Sequence, residues 1–145
     1  MDQTSAVEAF FHEFEAYSNS GDVARAVSQF ADPFLSADPS GSRVVPAAAL
    51  AMAIPKRKQL FQSLGSRSTT LVSLEQTKLD EHYVLAKTVW RLRFEPAGRA
   101  PTDVTVPSTY VVRTSDAAPV IVFYLNHADI MAVLREYGLL PAGMP

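Results

Sequence analysis

The apolar positions of this chain follow a helical period in its first half and alternate in its second, with the change near Arg67. Val7, Phe10, Phe11, Phe14 and Tyr17 form one stripe, while His12, Glu13 and Glu15 fall on the other side, which predicts an amphipathic first helix. Ser5 and Glu8 have capping-box spacing, and Asn19-Ser20-Gly21 supplies a stop. Asp22 is placed to cap a short second helix carrying Val23, Ala26, Val27 and Phe30, which Pro33 should end. Residues 34–37 read as extended, and Asp38-Pro39-Ser40-Gly41 has type I turn chemistry, so a hairpin to 43–45 is predicted. Pro46 suits the first turn of a third helix. Pro55, with no amide donor, should break that helix or start another, whose stripe of Leu60, Phe61 and Leu64 stops at Gly65.

Beyond Arg67, segments 69–79, 83–95, 103–114 and 120–126 are rich in Val, Thr and aromatics and read as four strands. Asp80-Glu81-His82, Pro96-Ala97-Gly98 and Ser115-Asp116-Ala117-Ala118-Pro119 supply the turns between them. A last helix is predicted at 129–137, ending at Gly138 before a Pro-rich tail. Helices followed by a run of strands with short connections predict an α+β fold, its helices packed on one face of an antiparallel sheet.

At 145 residues a single domain over 1–145 is expected. Hydrophobic residues at 48% against 19% charged place the chain among globular proteins. Thirteen Lys and Arg against fifteen Asp and Glu give a net charge of -2, which argues against a nucleic-acid partner. The absence of cysteine excludes disulfides, thiolate metal sites and cysteine nucleophiles. No apolar run approaches the ~18 residues of a membrane span, and the start lacks the basic character of a signal peptide, so a cytoplasmic protein with no membrane partner is expected. His12, His82 and His127 have no metal-ligand spacing, and no nucleotide or nucleophile-elbow motif occurs, so neither a metal nor another cofactor is expected.

Few residues carry candidate chemistry. In the second long strand Ala86, Thr88, Trp90 and Leu92 share the more apolar face, and Lys87, Val89, Arg91 and Arg93 share the other. In the next strand Ser108 and Tyr110 alternate with Thr109 and Val111, and in the last Phe123 with Tyr124; the pattern leaves open which set points inward. His127 lies two residues before the last helix, whose N-terminus disfavours a charged imidazole and leaves it free to act as a base or a donor. Asp38 either accepts the amides of its own turn or faces a cavity as a base. The only basic run, Lys56-Arg57-Lys58, reads as a solvated face or as the seat of an anion.

The order of elements over about 7–127, with Asn19-Ser20-Gly21-Asp22, Phe30-Ala31-Asp32, Asp38-Pro39-Ser40-Gly41 and Thr88-Val89-Trp90, resembles the nuclear-transport-factor-2-like superfamily, which includes ketosteroid isomerases and SnoaL-like cyclases. The resemblance implies a strongly bent antiparallel sheet wrapped round the first helix as a cone, and a homodimer paired through the outer sheet face. It implies a pocket lined by Phe14, Tyr17, Phe34, Trp90 and Tyr110. In the isomerase branch the Asp of such a turn, here Asp38, takes a proton next to a carbonyl. The oxyanion donors of that branch correspond to Phe14, which cannot donate, and Thr109. Tyr17, Tyr110 or His127 would then have to supply the hydrogen bond. Three readings follow: a binding protein for a small apolar or carbonyl-bearing ligand; an isomerase, cyclase or hydratase with Asp38 or His127 as general base; and a dimeric association module with a vestigial pocket.

Overall fold

In the computed structural model, which describes residues 2–115 and 117–140, helix α1 spans Gln3–Ser20. Its cap is Asp2, whose carboxylate accepts from the Ser5 amide at 2.7 Å, so the helix starts one turn before the capping-box position. Gly21, at φ 74°, ends it in the left-handed conformation with its N–H on the Tyr17 carbonyl. Asp22 caps α2 (Val23–Ser28) as its position predicts. Phe30 is not on that helix. It opens strand β1 (Phe30–Asp38), which runs straight through Pro33. A proline is tolerated there because pairing with the next strand begins only at Phe34, and pairing on the other side slips register between Phe30 and Leu35.

Strand β2 (Gly41–Val45) returns from the turn, and α3 (Ala47–Ser63) follows as one continuous helix with Pro55 inside it. The predicted break does not occur, because the Ala-rich turns before Pro55 have high helix propensity and carry the helix past the lost amide. Pro46 provides no side-chain cap; the Asp32 carboxylate of β1 instead accepts from the Ala47 amide at 3.0 Å. Then come β3 (Ser66–Lys78), β4 (Tyr83–Phe94), β5 (Thr102–Arg113) and β6 (Val120–Asn126), and α4 (Ile130–Glu136), capped by Asp129. Asp116 of the last turn and residues 141–145 of the Pro-rich tail lie outside the described residues.

The fold is α+β. One open, curved six-stranded sheet has the order β2-β1-β6-β5-β4-β3. It is antiparallel apart from the β1/β6 pair, which is parallel. Helix α1 crosses the inner face and also covers the edge strand β3. There the Asn19 side chain donates to the Thr69 carbonyl and accepts from the Thr69 amide, both at 2.8 Å, and Glu15 accepts from the Leu71 amide at 2.6 Å. These bonds satisfy backbone groups that an open edge would leave to another chain.

Buried apolar side chains form two clusters. One joins Val7, Phe10 and Phe11 of α1 to Trp90, Tyr110 and Ile121 of the sheet; the other joins Phe61 of α3 and Leu134 of α4 to Leu92, Phe94 and Val104. Each large side chain so buried is worth roughly 1.5–3 kcal/mol against exposure. No helix among the described residues is long and apolar enough to cross a membrane.

Candidate functional site

Strand alternation decides which side chains enter the space between the helices and the sheet. Along β4, Val84, Ala86, Thr88, Trp90, Leu92 and Phe94 are buried, while Lys87 and Arg91 are exposed on the far side. Trp90 is 5% exposed and sits on the inner face. Along β5, Ser108 and Tyr110 are inward with Val104, Val106 and Val112, which leaves Thr109 on the outer face. Tyr124 lies opposite Tyr110 across β5/β6, so it too faces inward and Phe123 faces out.

The inner face is crowded with rings. Phe14 lies 5.3 Å from Trp90 and 5.8 Å from Tyr110, and Tyr110 stacks on Tyr124 at 4.9 Å with 18° between planes. Phe34 joins through Phe30, which lies 4.7 Å from it and 6.3 Å from Phe14. Phe14, Phe34, Trp90 and Tyr110 are thus brought together, joined by Tyr124, which strand parity left open, and by Phe30, which the sequence places on a helix. Tyr17 is half-buried one turn beyond Phe14 and makes no ring contact with this cluster among the described residues.

A polar row crosses the same face. Thr88, Ser108 and Asn126 are in register on β4, β5 and β6, between Tyr110 of the first apolar cluster and Val106 of the second. Trp90 Nε1 donates to Thr88 Oγ1 at 2.8 Å, and Thr88 Oγ1 donates to the Ser108 carbonyl at 2.9 Å. At the end of the row Asn126 Oδ1 is buried without a hydrogen-bond partner. Asp129, not Asn126, caps the last helix.

The Tyr110 phenol is held protonated well above the ordinary value of 10.0. Burial is the main cause and Tyr124 adds to it, while the Arg57 charge and the Ser108 and Trp90 side chains oppose it. An acid whose pKa is raised by folding contributes stability that is complete below the unfolded phenol value near ~10 and is lost as pH rises beyond it. The Tyr110 phenolate should therefore appear at 295 nm only as the chain unfolds in alkali. Tyr110→Phe should shrink the absorbance step that accompanies alkaline unfolding by one tyrosine, and an unchanged step would contradict this.

The two candidate bases lie elsewhere. Asp38 ends β1, and its Oδ1 accepts from the Ser40 amide at 2.8 Å and the Ser40 hydroxyl at 2.5 Å. Those bonds, the hydroxyl first, hold its pKa below the ordinary carboxylate value, which is the reverse of what a base poised near neutrality needs. His127 lies on the outer face of the sheet. Its Nε2 lies 2.6 Å from Thr109 Oγ1 in a groove of about 330 Å³ on the outer face, between Glu75, Lys87 and Pro107. A second cleft, of about 440 Å³, lies between Leu64, Pro96, Arg99 and Leu139, where Arg99 donates to the Gly138 carbonyl. Among the described residues no three metal-ligating side chains converge.

Helix α3 adds a residue that the basic run concealed. Arg57 lays its guanidinium 4.8 Å over the ring of Phe61, one turn on. Phe61 is buried and packs edge-on against Phe94 at 5.8 Å. The signal available in sequence was the four-residue spacing of Arg57 and Phe61. The outer face, by contrast, carries no helix among the described residues. Val44, Leu35, Phe123, Val111 and Leu85 are in register there across five strands, with Val44 67% and Leu35 37% exposed.

No protein-family model matches the chain, and no curated protein sequence matches it either. Solved structures do. An NTF-2 like protein of unknown function from Shewanella oneidensis aligns with a TM-score of 0.68 at 16% identity, covering 86% of this chain and 98% of that one. The beta subunit of the benzoate 1,2-dioxygenase from Burkholderia mallei aligns at 0.71 with 14% identity, covering 91% and 94%. A ketosteroid isomerase-like protein from Erwinia carotovora aligns at 0.66 with 12% identity, covering 85% and 93%. Identities this low speak for shape alone. The α+β cone of this chain has the fold of the nuclear-transport-factor-2-like proteins.

Proposed function

We propose that the chain is a small-molecule-binding protein that takes a flat, partly apolar ligand against the inner sheet face, among Phe14, Trp90, Tyr110 and Tyr124. The observation that carries this reading is the polar row Thr88–Ser108–Asn126 on the inner face, beside Trp90 and Tyr110 and ending in a buried acceptor with no partner. Thr88 serves the core by satisfying the Trp90 indole, but the unsatisfied acceptor at Asn126 costs a core about 1–3 kcal/mol. A ligand offering a hydrogen-bonding group to that row recovers the loss, and the surrounding rings supply apolar area. Binding is favoured over proton transfer because Asp38 is engaged by Ser40 and His127 faces the outer groove. Trp90, the sole tryptophan, reports directly. Its emission should quench or shift saturably with flat ligands bearing one carbonyl or hydroxyl. Asp38→Asn and His127→Gln should bind them as the parent does. No response across such a panel would overturn the reading.

The assembly proposed with it is a homodimer through the outer face. The support is the apolar row from Val44 to Leu85, exposed at Val44 and Leu35 and covered by no helix among the described residues, and the subunit role named for the Burkholderia neighbour lends weight. Light scattering at micromolar concentration should give twice the chain mass of 15.8 kDa, and Leu35→Asp should return the single-chain mass with the fold intact. A parent protein at 15.8 kDa would refute it.

A further inference from the structure

We infer that the outer face carries a second binding site, a groove that takes a small zwitterion, an α-amino acid with an apolar side chain. Glu75 meets the ammonium, Lys87 and Thr109 meet the carboxylate, and Val89 with Pro107 seats the side chain. The groove lies on the opposite face of the sheet from the ring cluster, so it stands or falls independently of the ligand site proposed there.

The backbone builds the groove. Strands β4 and β5 pair without interruption, but the flanks on either side are irregular. On one flank the register of β3 slips between Leu71 and Ser73, where Val72 is 50% exposed. Such a slip bends the strand that carries it. On the other flank Pro107 has no N–H to give, and β6 pairs with β5 only as far as Asn126, opposite Ser108. His127, the next residue, closes that end with its Nε2 2.6 Å from Thr109 Oγ1. Regular strands would leave this face flat. Here it holds a concavity of about 330 Å³, within the range of ~300–1,000 Å³ that small-molecule pockets take.

Strand register orders the lining in two rows. Ser73, Val89 and Pro107 stand opposite one another across β3, β4 and β5, and Glu75, Lys87 and Thr109 do so two residues along. The first row gives an apolar floor. The second sets an anion, a cation and a hydroxyl side by side, and Thr109, only 8% exposed, is fixed by the imidazole beside it. What marks Lys87 is this setting within one cavity, between a carboxylate and a hydroxyl. Directly opposed Glu and Lys side chains attract each other, yet these two form no ion pair among the described residues. A ligand that is only an anion is opposed by Glu75, and one that is only a cation is opposed by Lys87. A zwitterion satisfies both, so the pair selects by repulsion as well as by attraction. The groove adjoins the apolar row of this face without lying in it, since Lys87 and Thr109 stand two residues along from Leu85 and Val111.

The test titrates L-phenylalanine against its single-charge counterparts, 3-phenylpropionate and 2-phenylethylamine. The ring protons of His127 are followed by NMR and identified by their loss in His127→Gln. Phenylalanine should move those signals and bind about fivefold or more tighter than either counterpart. Lys87→Met should erase its advantage over phenylethylamine, and Glu75→Gln its advantage over phenylpropionate. Both residues are exposed, and circular dichroism checks that the variants are folded. Trp90 emission should stay unchanged, and binding should persist in Leu35→Asp, because every lining residue comes from one chain. If no ligand moves the His127 signals, or single-charge ligands bind as well as phenylalanine, Glu75 and Lys87 serve only each other and the inference falls. It falls equally if phenylalanine shifts Trp90 and leaves His127 unmoved, which would place it on the inner face. Loss of binding in Leu35→Asp would overturn a site formed by one chain.

Discussion

Phe11→Ala should cost about 3–5 kcal/mol of folding stability, the largest loss expected from any single truncation in the ring cluster. Phe11 is fully buried, with ring centroids of Phe10, Tyr110 and Phe14 at 5.2, 5.0 and 6.1 Å. Its removal leaves a cavity bounded by a helix and a sheet that bonds at Asn19 and Glu15 hold at fixed spacing, so the walls cannot close in. Against a total of ~5–15 kcal/mol for a domain, that loss removes much of the margin. Phe14→Ala should cost less, because Phe14 is only half-buried, but it should weaken ligand binding more. Urea unfolding of the two variants checks the order. A loss below ~1 kcal/mol for Phe11→Ala would mean that the first cluster is not packed as described.

Gly65→Ala should be comparably damaging, by roughly 2–4 kcal/mol, for a backbone reason. Gly65 follows α3 at φ 87°, and a Cβ there would lie 2.6 Å from the Glu95 carbonyl oxygen, 2.7 Å from its carbon and 2.9 Å from the Pro96 nitrogen. All three are main-chain atoms. They cannot step aside, because the Glu95 amide is hydrogen-bonded to the Gly65 carbonyl at 2.7 Å. Gly98 supplies the control: its φ is 74°, and an added Cβ meets nothing within 4 Å. Gly98→Ala should therefore cost only the left-handed strain, about 1–2 kcal/mol. The difference between the two glycines, read from thermal or urea unfolding, isolates the close approach. Equal losses would show that contact with Glu95 and Pro96 does not matter.

The elements that were legible in the sequence are those whose signal is local. The helical stripe from Val7 to Phe14, the glycine stops at Gly21 and Gly65, the Asp22 cap and the strand at Val120–Asn126 all depend on spacing and backbone chemistry within a few residues. So does the face of β4 that carries Trp90, since uninterrupted alternation leaves one choice of inward set. Phe30 and Pro55 were misread because local rules spoke against the structure. Pairing with β6 draws Phe30 into a strand, and an Ala-rich helix packed against its neighbours outweighs a single lost amide bond at Pro55.

The candidate site divides along the same line. Residue types in the sequence determined that an interior of this chain would be aromatic, that carboxylate, imidazole and guanidinium groups were available, and that thiolates were not. Which of those groups meet was decided only by the tertiary structure. The register shift between Val111 and Val112 turns Tyr124 inward beside Tyr110, and a side chain's face reverses with each residue of slip, which no composition records. Asp38 reads from its turn either as an acceptor of that turn's own amides or as a base, and the bonds to Ser40 are of the first kind. His127 reads from its place before the last helix as a base or donor, and it lies on the outer face with Thr109. Arg57 reads only as part of a basic run, a solvated face or the seat of an anion, yet its guanidinium lies over a buried ring, and Asn126 at the end of the last strand is an unpaired acceptor. The physical reason is range: caps, turns and periodicity are set within a few residues, whereas burial, charge and hydrogen-bond satisfaction depend on partners tens of residues away.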